Sequence, residues 1–397
     1  MRWLFADPNN AEEGAYVRET IAAIDRWWVA FGAKAAELES VFKGKSKLDL
    51  PKFMEETLQA IHPSLMWEYG PAVRQEKGRR LVITPESQRQ LRPMLRTILE
   101  RAPKIAGWEF YPYRLAETPE QATLAVKSRL DVSVASALID ASVAPGRKID
   151  LSFSFPKHKT LDEEKAMHAA FVATETLLGE QVLDTWIGMI GLAEGTEKRG
   201  TGPLPLERAQ GNVAALIRSL IDQLPTTRAQ DISVGKNWAT IKLDPPEEAD
   251  DYPVRSDLLI AATNNVELFQ AIHSGQPFAS SCHSRLGEMF CYLKLDASEI
   301  PSNGIVAFRS KFEGALNPAL VEANAGGCIG GGSGLRYAYI DMAITDIKRA
   351  TPIIRKVLAE HQAPTRSWIL FNDDDLAAEW IGIYSKTPPP PEVESDE

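Results

Sequence analysis

A single cysteine inside a run of glycines is the feature of this sequence that most suggests covalent chemistry. Cys328 lies in the segment GGCIGGGSG, Gly326 to Gly334. Glycine amides can hold an oxyanion, and a thiolate is a strong nucleophile when its surroundings lower its pKa. His283 or His361 could act as the base, and Asp341 could orient it. This set defines one functional alternative, a small-molecule hydrolase or transferase.

The same glycine run does not have the order of a phosphate-binding loop. In such a loop a strand leads through glycines into the N-terminus of a helix, whose dipole attracts the anion. Here Gly334 is followed by LRYAYIDMAI, which is rich in β-forming residues, and the run contains no lysine. The pattern predicts a slack loop that leads into a strand, and it argues against nucleotide binding by this loop.

Two further clusters contain residue types that bind metals. Cys282, His283 and Cys291 offer soft ligands for zinc, but adjacent side chains diverge and Cys291 lies in an alternating, core-like strand. Three aspartates, residues 373–375, offer carboxylates for Mg²⁺ or Ca²⁺, or a cap for a helix over DDLAAEWIGIY in which Asn372 or Asp373 is the N-cap. Capping is the simpler interpretation. We therefore expect no metal site and no cofactor.

The charge balance limits the partners of the protein. The net charge is −10 at pH 7, and basic residues are dispersed among acidic ones, as in PEEADDYPVRSD. Nucleic acid binding requires clustered Lys and Arg, so we expect no nucleic acid partner. An acidic surface is compatible with an unknown, basic protein partner, and a homo-oligomer is equally compatible.

Cysteine usage and hydropathy predict the compartment. Three cysteines are too few for a disulfide framework, and an odd number cannot all pair within one chain. This cysteine usage favours a reducing environment. The first residues, MRWLFADPNN, lack a basic region followed by an apolar stretch, and no window approaches the ~20 apolar residues that cross a membrane. We expect a cytoplasmic protein with no membrane partner.

A long amphipathic helix is predicted near the N-terminus, over about 14–43. Its apolar residues alternate in steps of four and three, which places them on one face. They are Val17, Ile21, Ile24, Trp28, Phe31, Ala35, Leu38 and Phe42. The stripe either covers the domain's own core or binds a partner. Trp27 lies beside it and either widens the buried face or is exposed, so Trp27 and Trp28 are candidate partner-binding residues.

The chain length predicts two domains of the α+β class. An N-terminal domain over 1–195 is followed by a Gly-, Pro- and charge-rich linker over 196–206 and a C-terminal domain over 207–385. Residues 386–397, with four prolines and four acids, are predicted as a disordered tail. Each domain is expected to have a mainly antiparallel sheet covered by helices, in ferredoxin-like strand–helix–strand units.

Two strand–helix–strand segments resemble each other in plan. RLVITPESQRQLRPMLRTILERAPKIAGWEFYPY and YIDMAITDIKRATPIIRKVLAEHQAPTRSWILF each place a proline in the helix, Pro93 or Pro352, and an Ala-Pro pair before a strand that contains tryptophan. Internal duplication and chance similarity of two such units both explain this.

Two functional classes remain from the sequence. The favoured one is a non-enzymatic cytoplasmic interaction protein, an adaptor or an inhibitor of a basic partner, because no established catalytic motif is present. The alternative is the enzyme that would use Cys328.

Overall fold

A computed structural model describes residues 1–156, 161–193, 200, 202–232, 238–244 and 247–392. The first half of the chain contains α1 (Ala11–Phe42), α2 (Leu50–Thr57), β1 (Met66–Pro71), β2 (Arg79–Thr84), α3 (Arg92–Glu100), β3 (Trp108–Tyr111), α4 (Pro119–Leu130), β4 (Leu138–Ala144), β5 (Lys148–Ser154), α5 (Glu163–Leu178), α6 (Glu180–Trp186) and β6 (Ile187–Leu192). The class is α+β, as predicted.

The second half of the chain carries the larger sheet. Its elements are β7 (Leu204–Pro205), α7 (Leu206–Asp222), α8 (Ala229–Ile232), β8 (Ala239–Lys242), β9 (Leu258–Thr263), α9 (Val266–Ile272), β10 (Met289–Asp296), α10 (Ile305–Glu322), β11 (Gly326–Gly334), β12 (Tyr337–Ile344), α11 (Ile347–Glu360), β13 (Ser367–Phe371) and β14 (Trp380–Gly382). No helix in the described part of the chain is both long and apolar enough to cross a membrane.

The chain divides into two compact units. The first unit comprises 1–140 and 151–210, and the second comprises 141–150 and 211–397. The predicted linker over 196–206 lies partly outside the described residues, and so do the last five residues of the predicted tail. Within that tail Thr387 is buried and the Pro388 carbonyl accepts a hydrogen bond from Trp368 Nε1 at 2.6 Å, so the chain stays packed to this point.

The second unit has a ferredoxin-like centre. Its sheet has the order β14-β13-β10-β12-β11-β9-β8 in the described residues, and its strand pairs are antiparallel. The segment from β10 to β13 follows the pattern strand–helix–strand–strand–helix–strand, and its four strands lie in the order fourth, first, third, second. Helix α10 packs on β11, β12 and α11.

The first unit has smaller sheets. β1 pairs antiparallel with β2. β2 pairs parallel with β3, and α3 lies between these two strands in the chain. In the second unit β10 separates the corresponding strands β12 and β13. The two resembling segments thus have different places in their sheets, and duplication stays a prediction.

The predicted N-terminal helix is confirmed as α1, with Asn10 as its N-cap. Its apolar face forms the core of the first unit together with α2, α3 and the β1-β2-β3 sheet. Trp27 and Trp28 are 1% and 4% exposed, and Trp28 Nε1 donates to the Ile98 carbonyl at 2.8 Å. Both indoles are buried in the core of the first unit, and Trp27 widens the buried face of α1.

The glycine run is not a loop, and this prediction is wrong. Residues Gly326–Gly334 form the buried strand β11 between β12 and β9. Glycine is required there by close approach: a Cβ at Gly334 would lie 2.3 Å from the Asp257 carboxylate. The prediction that the residues after Gly334 are extended is confirmed by β12.

Candidate functional site

Cys328 lines a pocket at the surface of the second unit. The pocket has a volume of about 400 Å³ and lies between the start of β8, helix α10 and strand β11. Its lining residues are Trp238, Ser310, Glu313, Gly314, Asn317, Pro318 and Cys328. None of these residues is a histidine, so the described lining lacks the imidazole base that the enzyme alternative requires.

The surroundings of Cys328 keep its thiol protonated. Burial raises its pKa strongly, and the negative charges of Glu313 and Asp341 raise it further. A reactive cysteine instead needs positive charge or a helix N-terminus nearby. The Cys328 amide, which could have stabilised an oxyanion, donates to Asn317 Oδ1 at 2.8 Å. Both parts of the predicted nucleophilic site are therefore engaged in packing.

The other predicted catalytic residues are absent from the described lining of the Cys328 pocket. Cys328 pairs with Met342 in the β-ladder, so Asp341, the neighbour of Met342, points to the opposite face of the sheet. There Asp341 accepts from Arg255 Nη2. His283 stacks on Phe278, with ring centroids 4.9 Å apart.

The two histidines lie in different surroundings. Burial, with the nearby charges of Arg147 and Lys148, lowers the pKa of His283 to about 3, so its ring remains neutral near pH 7. His361 follows the last residue of α11, and its carbonyl accepts from Lys311 Nζ at 2.8 Å. Neither histidine is among the described residues that line the Cys328 pocket.

We expect the thiol of Cys328 to be nearly inert in the folded protein. Iodoacetamide at pH 7.5 should label the Cys328 peptide at least about 100-fold more slowly in the native protein than in urea, because the buried thiol forms little thiolate. Peptide-resolved mass spectrometry measures both rates. Labelling of native Cys328 with an apparent pKa at or below the ordinary ~8.5 would contradict this prediction.

The placement of their side chains tests the two clusters considered as metal sites. Among the described residues there is no group of three or more His, Cys, Asp or Glu side chains that could hold a metal. The predicted helix after Asp373 is wrong: a 3₁₀ turn covers Asp374–Leu376, and β14 follows. Asp373 does not cap it, because its carboxylate accepts from the amide and hydroxyl of Ser280.

A buried polar cluster lies on the sheet face opposite Cys328. Its members are Arg255, Asp257, Tyr292, Lys294, Tyr337, Tyr339 and Asp341. The Arg255 guanidinium lies 3.9 Å from the centre of the Tyr292 ring, and Lys294 Nζ lies 4.0 Å from that of Tyr337. Burial lowers the pKa of Lys294 to about 8, although Asp257 opposes this shift. Lys294 Nζ also donates to the Tyr252 carbonyl, and the Asp257 carboxylate accepts from the amides of Arg336 and Tyr337, so these two buried groups are hydrogen-bonded within the unit.

The pocket residues Trp238 and Glu313 were missed in the sequence. Arg309, Glu313 and Asn317 recur every fourth residue, which puts them on one face of α10. That polar stripe was a usable signal, but no helix had been predicted over 305–322. The contact of this stripe with Cys328 depends on tertiary packing and has no local signal.

Comparison with known proteins gives no relative for this chain. No protein-family model matches it, and no match was found among curated proteins or solved structures.

Proposed function

We propose that this chain is a non-enzymatic cytoplasmic protein that binds a basic partner protein at the pocket beside β8. The observation that carries the proposal is the position of β8 at the end of the seven-stranded sheet, directly after the exposed side chain of Trp238. The three free cysteines support a reducing compartment.

The edge of β8 fits an extended segment of a partner. In the described residues β8 pairs with β9 on one side and with no strand on the other. A sheet edge presents backbone amides and carbonyls to which an added strand can bond, while side-chain pockets give specificity. Trp238, the residue directly before β8, connects this edge to the pocket that it lines together with α10 and Cys328.

The charge and aromatic content of the site favour a Lys or Arg side chain of the partner. Trp238 is 47% exposed, and a cation over an indole face is attracted to it. Burial raises the pKa of Glu313, although Arg309 opposes this, so an incoming cation would compensate a carboxylate that is incompletely paired. The exposed residues Glu247, Glu248 and Asp250 add negative charge to the same unit.

The enzyme alternative has no supporting observation at this pocket. Cys328 has a raised pKa and an occupied amide, and the described lining contains no imidazole. The same residues are suitable as the floor of a binding pocket.

Site-specific photocrosslinking tests the proposal. A photoreactive phenylalanine analogue replaces Thr240, an exposed residue of β8, or Lys356, an exposed residue of α11 that serves as the control. We expect Thr240 alone to capture a partner with a basic contact segment. Capture at both positions, or at neither, would contradict the proposal.

The captured partner is then purified and titrated against variants. Trp238→Ala should weaken binding by roughly 30-fold, which corresponds to about 2 kcal/mol for an interface hot spot. Glu313→Gln should weaken it and reduce its salt dependence, whereas Val306→Ala, at an exposed position of α10, should leave it unchanged. Equal affinities for all three variants would show that the pocket is not the contact.

A further inference from the structure

The first unit contains a second pocket, of a different kind. It has a volume of about 340 Å³ and is lined by parts of β1, β2, α4, α5 and the segment before α4. We call it the charged pocket, because its lining includes three arginines and three glutamates: Arg80, Arg114, Arg129, Glu68, Glu117 and Glu175. Tyr69, Gln121 and Thr176 contribute an aromatic wall and further polar groups.

Arg80 lies at the inner end of this set. It is only 5% exposed, it pairs with Glu117, and its Nη2 lies 3.5 Å from Glu68. Its Nε is buried and has no hydrogen-bond partner among the described residues. Leaving a buried donor without a partner costs roughly 1–3 kcal/mol. The ion pairs around Arg80 therefore do not satisfy all of its hydrogen-bonding groups.

The neighbouring strand packs closely against that donor. Gly70 on β1 is the ladder partner of Arg80, and a Cβ at Gly70 would lie 2.7 Å from Arg80 Nε. Any other residue at position 70 would push against the guanidinium.

The outer part of the pocket combines both signs of charge. Arg114 Nη1 bonds Glu175 at 2.7 Å, and Arg129 lies 3.7 Å from the same carboxylate. Arg129 is 54% exposed, so its guanidinium can move to meet a ligand. A pure anion such as phosphate would meet three glutamates here as well as three arginines.

We propose that the charged pocket binds a small zwitterion, an amino acid or a dipeptide, whose carboxylate meets the arginines and whose ammonium meets the glutamates. The planar guanidinium fork matches a carboxylate in two bonds, and the exposed Arg129 can present its guanidinium to the ligand. The volume is near the lower end of the roughly 300–1,000 Å³ of small-molecule pockets. This inference is independent of the partner contact at β8, because it concerns the other unit.

Titration of the purified full chain tests the ligand class. The twenty common L-amino acids and the dipeptide Ala-Ala are screened at 5 mM by ligand-observed NMR, and binders are titrated by calorimetry. We expect at least one zwitterion with a Kd below about 1 mM, which is a free energy near −4 kcal/mol. Its N-acetylated and C-amidated forms, which each lack one charge, should bind at least tenfold more weakly.

Two outcomes would overturn the proposal. One is that no member of the panel binds at 5 mM. The other is that the singly charged analogues, or inorganic phosphate, bind as tightly as the zwitterion.

Variants then locate the site. Arg129→Gln should weaken the zwitterion at least tenfold, and so should Glu117→Gln, each at a folded fraction confirmed by near-UV circular dichroism. The matched control is Arg101→Gln, which removes an exposed arginine that pairs with Asp25 outside the pocket. Undiminished binding by both pocket variants, or equal loss in the control, would place the ligand elsewhere.

Discussion

Asp257→Ala is expected to lower the free energy of unfolding by about 3–5 kcal/mol, the cost of leaving a buried charge without its partner. Asp257 has no exposed surface, and its carboxylate accepts from the amides of Arg336 and Tyr337 at 2.9 and 2.8 Å and from the hydroxyl of Tyr339. The alanine variant strands these donors and removes the negative charge that faces Lys294.

Urea unfolding followed by circular dichroism measures this loss. Asp250→Ala is the matched control, because Asp250 is an exposed acid in the same segment and its removal should change stability by less than about 0.5 kcal/mol. A loss below about 1 kcal/mol for Asp257→Ala would show that the cluster does not depend on this carboxylate.

The glycine opposite Asp257 gives an independent way to disturb the same group. Gly334→Ala places a methyl group against the Asp257 carboxylate without removing any charge. We expect it to destabilise the protein as well, and the double variant with Asp257→Ala should lose less than the sum of the two, because both act on one contact.

Arg92→Met is expected to have the largest effect in the first unit, about 3–5 kcal/mol. Arg92 is 1% exposed and donates to Glu180 at 2.7 Å, to Asp184 at 2.8 Å and to the Pro112 carbonyl at 2.7 Å. Glu180 is also buried, so loss of the guanidinium leaves a carboxylate without its compensating charge.

A double-mutant cycle separates this charge effect from lost packing. Arg92→Met combined with Glu180→Gln should recover part of the stability lost in Arg92→Met, since the uncompensated charge is gone. Arg26→Met, at an exposed position on α1, is the control and should change little. Strictly additive losses would indicate that Arg92 acts through its volume alone.

Local pattern was sufficient to predict several elements. The four-three spacing of apolar residues predicted α1, and the β-forming residues that follow Gly334 predicted the extended segment that forms β12. The prediction of a loop over the glycine run was wrong because glycine is a poor strand former, so its composition did not indicate a strand. It forms β11 only because the backbones of β9 and β12 and the Asp257 carboxylate approach it closely, and these contacts come from residues distant in sequence.

The candidate site was predicted only in part, for the same reason. Cys328 does line a pocket, but its neighbours Trp238 and Glu313 come from the residue before β8 and from α10, and no local sequence signal connects them to Cys328. His283 and Asp341 were associated with Cys328 by residue type alone. Cys328 pairs with Met342, so both side chains lie on the same face of the sheet. Asp341 directly precedes Met342 and therefore points to the opposite face.

The buried polar cluster also restricts how the strands of the second unit can pair. A shift of β12 by one residue would turn Asp341 and the two tyrosines toward α10 and bring Ile340 and Met342 into the place of charged partners. Such slippage would leave Lys294 and Arg255 without compensation inside the protein. We therefore expect the charges beneath this sheet to exclude misaligned forms during folding, a role separate from any contribution to net stability.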